Sequence, residues 1–162
     1  MEIELPSRRR SAAPTHQEFV FQIESPSASY GFRIEHDRKR REWQPFDEHH
    51  TLNFVTACIW PDRFKGRRGK ATIYPEPAFV DHKLLAEDDV RRKWIGFVRA
   101  TKTEFETVIW LPPQVCWPLG DAMASGLIRS MLTNGPIEPR GMHRVTSASF
   151  HGQNFDPSEY VG

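Results

Sequence analysis

The stretch "TLNFVTACIW", residues 51–60, is apolar on both faces: Leu52, Phe54, Cys58 and Trp60 fall on one, Val55, Ala57 and Ile59 on the other. Such a run reads as a β-strand covered on both sides. Around it lie shorter stretches that alternate apolar and polar residues, the mark of half-covered strands. "EFVFQIES" (18–25) sets Phe19, Phe21 and Ile23 against Glu18, Gln22 and Glu24, and "YGFRIEH" (30–36) sets Phe32 and Ile34 against Arg33 and Glu35. "SPSAS" between them is expected to form a hairpin connection. "KATIY" (70–74) ends at Pro75 and belongs near an edge or strand end. "WIGFVRA" (94–100) and "EFETVIWL" (104–111) flank Thr101-Lys102-Thr103 as a second hairpin, and "HRVTSASF" (143–150) is the last strand.

Two segments read as helical. "DHKLLAEDDVRRKW" (81–94) has acids early and bases late, which suits the helix dipole. In residues 118–133, Leu119, Met123, Leu127 and Met131 recur every four positions, Pro118 suits a first helical turn, and Asn134-Gly135-Pro136 is a stop. This segment carries only two charges, Asp121 and Arg129. Its small residues (Gly120, Ala122, Ala124, Gly126 and Ser130) allow close packing. The expected fold is α+β: a mostly antiparallel sheet of about six to seven strands, curled or folded into a small sandwich, with one main helix (118–133) packed on it. The expected organisation is a flexible tail at 1–16, a single domain at 17–151 and a second tail at 152–162.

Composition bounds the function. At 162 residues, 38% hydrophobic and 27% charged, the chain is long enough for one core. Its net charge of +1 sets up no global field, although residues 1–70 carry a net +3 and residues 71–162 a net −2. Arg outnumbers Lys 16 to 6, which suits a GC-rich genome as well as phosphate recognition. Two cysteines without C-x-x-C spacing give no disulfide framework, the N-terminus has no apolar signal core, and no run approaches 18 apolar residues. The expected compartment is the reduced bacterial cytoplasm, with no membrane partner and no cofactor.

After the apolar strand comes "WPDRFKGRRGK" (60–70), with five cations and one anion from Asp62 to Lys70. It is not a phosphate-binding P-loop. Ala71 stands where a hydroxyl must follow Gly69-Lys70, Phe64 stands where the first glycine belongs, and a strand follows rather than a helix. It is instead a strand-to-strand loop in which Arg63, Lys65, Arg67, Arg68 and Lys70 surround Phe64. Basic and aromatic groups together hold a phosphate backbone and stack on a base, unless Phe64 folds back onto the core. "HDRKRREW" (36–43) repeats the pattern with Arg40, Arg41 and Trp43, and "RRKW" (91–94) with Arg92 and Trp94. Convergence of these segments would make a patch.

Other constellations are weaker. "DEHH" gathers Asp47, Glu48, His49 and His50, but neighbours on a strand point to opposite faces, so at most two share an ion. A regular strand at 143–151 sets His143, Ser147, Ser149 and His151 on one face, yet His143 and Ser147 are then about 13 Å apart, and no G-x-S-x-G elbow exists. Cys116 reads as a packed thiol. The leading expectation is therefore a non-enzymatic binding or adaptor domain. It contacts nucleic acid through the basic loops, or a protein partner or second copy through Leu119, Met123, Leu127 and Met131. The alternative is a small metal-dependent enzyme using Asp47, His49 and His50.

Overall fold

The computed structural model describes residues 16–33, 36–37, 42–43, 47–76, 79, 94–138 and 141–153. The expected tails, apart from His16, Gly152 and Gln153, lie outside the described residues, as does the expected helix at 81–94 apart from Trp94. In chain order the elements are β1 (His16–Arg33), β2 (His36–Asp37), β3 (Glu42–Trp43), β4 (Asp47–Trp60), a 3-10 turn (Asp62–Phe64), β5 (Arg68–Pro75), β6 (Gly96–Ala100), β7 (Glu104–Leu111), α1 (Pro113–Ala124), β8 (Ser130–Pro136), β9 (Met142–Val145) and β10 (Ser147–His151).

Eight strands form one sheet in the order β10-β8-β1-β4-β5-β7-β6-β9, and β2 pairs with β3 apart from it. The class is α+β as expected, but the sheet is mixed rather than purely antiparallel. The β6–β7 hairpin returns with β7 innermost, so β7 lies parallel to β5 while β6 lies antiparallel beyond it. Sequence alternation identifies strands but carries no strand order.

The sheet curls into a nearly closed barrel, not a sandwich. β9 and β10 are two halves of one strand bent at Thr146: β9 pairs with β6 and β10 pairs with β8. At the bend the Thr146 N–H donates to the Asn134 carbonyl at 2.8 Å. Beside it Gly135 leaves room for the seam, because a Cβ there would lie 1.7 Å from the Arg144 carbonyl oxygen. The bend also shifts the alternation. His143 and Val145 point inward before it, and Ala148 and Phe150 pack on the core after it. The regular face expected for His143, Ser147, Ser149 and His151 is therefore broken, with His143 inside the barrel and Ser147 exposed.

Two further expectations are corrected. "SPSAS" does not turn the chain back. β1 runs through it, with Glu24 opposite Val55 and Ser27 opposite Asn53, so Ser25 and Pro26 together face Phe54. Ser25 takes a left-handed φ of 45° and Pro26 offers no N–H, which makes a β-bulge. The helix occupies Pro113–Ala124, not 118–133. Pro113 takes the first helical turn, and Gly126, at φ 76°, ends the helix with its N–H donating to the Met123 carbonyl at 3.1 Å. Met131 belongs instead to β8, where it is fully buried opposite Phe21. The four-residue spacing of Leu127 and Met131 crosses this break and is accidental.

The doubly apolar strand is β4, at the centre of the sheet. Leu52, Phe54 and Cys58 point into the core and Val55, Ala57 and Ile59 are half-buried on the other face. One end of the barrel is covered by α1, through Cys116, Leu119 and Met123. The other holds Phe19, Phe21, Phe105 and the loop after β4. No helix among the described residues is long and apolar enough to cross a membrane.

Candidate nucleic-acid interface

The loop between β4 and β5 is tied down at both strands. The Gly66 N–H donates to the Cys58 carbonyl and the Cys58 N–H to the Arg67 carbonyl, both at 2.8 Å. The 3-10 turn lifts Phe64 over the barrel end and folds it inward. Its ring centroid lies 6.0 Å from Phe19 and 5.4 Å from Phe105, the latter edge-on. Phe64 is thus a plug and not a stacking platform for a base. Arg63 and Arg67 cover the ring, their guanidinium carbons 4.7 and 4.8 Å from its centroid. This arrangement keeps both charges at the surface while their stems shield the ring.

The loop meets one more cation that its sequence neighbours do not announce. Arg67 Nη1 donates to the Thr101 carbonyl at 2.5 Å, which ties the loop to the β6–β7 turn and brings in Lys102. Arg99 and Lys70 project on the outer face just below, on β6 and β5. One barrel rim therefore gathers Arg63, Lys65, Arg67, Arg68, Lys70, Arg99 and Lys102, with Glu24, Asp62, Glu104 and Glu106 as the acids beside them in space or sequence. Some of these cations have duties within the fold. Arg63 donates to Gln17 Oε1 at 2.8 Å, Arg68 is paired with Glu24, and Arg99 with Glu106 at 3.1 Å. Lys65, Lys70 and Lys102 are exposed.

The convergence asked of the other basic segments falls outside the description: Arg40, Arg41, Arg92 and the Trp43 side chain are not among the described residues. Trp94 is described, and the Arg144 guanidinium lies 4.1 Å from its ring centroid.

The candidates on the helical segment separate. Leu119 and Met123 lie on α1 facing the core, Met131 is buried in β8, and Leu127 is 70% exposed just past the helix end. The exposed large apolar residues of α1 are Val115 and Trp117, the latter 47% exposed, and neither stands out in the sequence. Trp117 stacks on His50 with centroids 3.8 Å apart. Beside it a cleft of about 100 Å³ opens between α1 and the bulged part of β1, over Pro26, Ala28, Leu52 and Met123.

His50 is thus a buried packing residue at the α1 end of the barrel, while the side chains of Asp47, Glu48 and His49 lie outside the description. Among the described residues no three His, Cys, Asp or Glu side chains come together as metal ligands. Ser149 Oγ lies 2.7 Å from His151 Nε2 on the outer face of β10. Both thiols are buried: burial pushes Cys58 up to about 12 and raises Cys116, so neither is poised as a thiolate. His143 sits against Phe19 at 5.1 Å, and burial, then Arg63, holds its pKa below the usual histidine range, with Glu138 pulling the other way.

Fold and rim together define a small, nearly closed, mixed β-barrel with a cationic edge. No family model, no curated protein and no solved structure matches the chain.

Proposed function

We propose that this domain is a non-enzymatic nucleic-acid-binding module of the bacterial cytoplasm that grips phosphates with one rim of its barrel. The observation that carries the reading is the Arg67–Thr101 bond, which fastens the "DRFKGRRGK" loop to the turn bearing Lys102 so that the loop cations and Lys102 share one surface. Cations held on a rigid frame neutralise several phosphates at once and release their counterions. Phe64 supports this indirectly, as the plug that fixes the loop. Two features favour binding over catalysis: burial raises the pKa of both thiols, and the imidazole of His143 lies inside the barrel.

The test is titration of fluorescent oligonucleotides with wild-type protein and with Lys65→Glu/Lys102→Glu, both exposed positions. The reading expects binding at low salt that the double variant loses by tenfold or more. Equal binding by the two proteins, or none by the wild type, refutes it.

A protein partner is the second reading, and the exposed Trp117 beside the apolar cleft favours it, since tryptophan is enriched at interface hot spots. Light scattering of wild type and Trp117→Ala examines it. A dimer that the variant dissolves supports this reading, and a monomer in both cases excludes self-association.

A further inference from the structure

Below the basic rim, the outer face of β5, β7 and β6 forms an open trough of about 440 Å³. Lys70, Thr72 and Tyr74 come to it from β5, Glu106 and Val108 from β7, and Arg99 from β6. The parallel pairing of β5 with β7 sets Tyr74 beside Trp110 and Lys70 beside Glu106. Lys70 and Tyr74 are four residues apart on one face of a strand, which separates them by about 13 Å. Tyr74 is 41% exposed and belongs to none of the described core packing.

We infer that the nucleic acid this surface takes is single-stranded, with its phosphates on the rim and a base laid on Tyr74 in the trough. The inference rests on the nucleic-acid reading above and deepens it. A cationic end and an exposed aromatic ring along one groove match the two parts of an unpaired nucleotide chain, its charged backbone and its unstacked π-faces. A duplex offers the first and hides the second. Glu104 sharpens the preference, because it flanks the trough with negative charge, while Glu106 is paired with Arg99. A duplex backbone lying along the trough meets the Glu104 carboxylate. A single strand keeps its phosphates at Lys70 and Lys102 and turns only its uncharged bases toward Glu104.

Fluorescence anisotropy at low salt tests this with a labelled 12-mer, as single strand and as blunt duplex, against wild type, Tyr74→Phe, Tyr74→Ala and Lys65→Glu/Lys102→Glu. The single strand is expected to bind more tightly than the duplex. Tyr74→Ala should weaken single-strand binding about tenfold, the scale of one lost base–aromatic stack, and leave the duplex unaffected. Tyr74→Phe should bind as the wild type does. Circular dichroism and melting establish that the Tyr74 variants are folded. If Tyr74→Ala binds like wild type while the rim variant loses binding, the trough is wrong and the rim stands. Equal or tighter binding of duplex overturns the single-strand preference. No binding of either form by the wild type removes both readings.

Discussion

Arg67 reaches from the β4–β5 loop to the β6–β7 turn, its Nη1 donating to the Thr101 carbonyl oxygen at 2.5 Å, while its guanidinium also lies over the Phe64 ring. One side chain thus joins the basic loop to the turn bearing Lys102 and helps hold the plug between them. Arg67→Ala is expected to lower stability by about 1–2 kcal/mol, from the lost charge-assisted bond and ring contact, and to weaken oligonucleotide binding as well. Lys65→Ala, at an exposed position, should weaken binding with a stability change within about 0.5 kcal/mol. Urea denaturation of both variants separates the roles.

Phe64 closes the barrel end against Phe19 and Phe105. Phe64→Ala removes a half-buried ring and should cost about 2–3 kcal/mol, somewhat below the range for a fully buried phenylalanine. Phe64→Leu should recover most of it. A Phe64→Ala protein as stable as the wild type in chemical denaturation contradicts the plug.

The fold was legible in the sequence where a residue's own neighbours decide its state. The apolar strand 51–60, the hairpin around Thr101–Thr103 and the strand 70–74 all appear where expected, because alternation and turn chemistry are local. Residues 118–133 misled for a physical reason. Leu119, Met123 and Met131 are apolar because their surroundings are, and exposed Leu127 completes the spacing by chance; Gly126 divides helix from strand, and its left-handed φ outweighs the periodicity. The bulge at Ser25–Pro26 resembled a turn because the same residues serve both. Of the candidate interface, the loop cations were visible from their run. Lys102, Arg99 and Tyr74 were not, because only strand order and register bring them to the same edge.

Gly135 occupies the seam where β8 meets β9. Gly135→Ala drives a methyl group into the Arg144 carbonyl, and backbone must move to admit it. The variant should lose at least about 2 kcal/mol, at the upper end for overpacking, or fail to accumulate as folded protein. Thermal melting of the purified variant, or its recovery in the soluble fraction, reads this out.

His143 makes stability depend on pH. Its folded pKa is lowered, first by burial and then by Arg63, against the opposing pull of Glu138, while the unfolded side chain titrates near 6.5. Between the two values the unfolded chain binds more protons than the folded one. The stabilising effect is therefore complete above about pH 6.5 and is lost as pH falls from there toward the folded pKa. Denaturation midpoints should decline from pH 7 to 5, ahead of most carboxylate titration, and His143→Gln should flatten that decline. A wild-type midpoint constant over the same window contradicts a neutral buried imidazole.

Phosphate binding by the rim shows itself in how affinity depends on salt. For a labelled single-stranded oligonucleotide, the logarithm of the association constant should fall linearly with the logarithm of salt concentration, with a slope of about −0.7 per phosphate contacted. Lys65→Glu/Lys102→Glu should reduce the steepness by about 1.4, the loss of two contacts. A wild-type affinity that does not respond to salt, or a slope identical in the double variant, rules out phosphate binding by this rim.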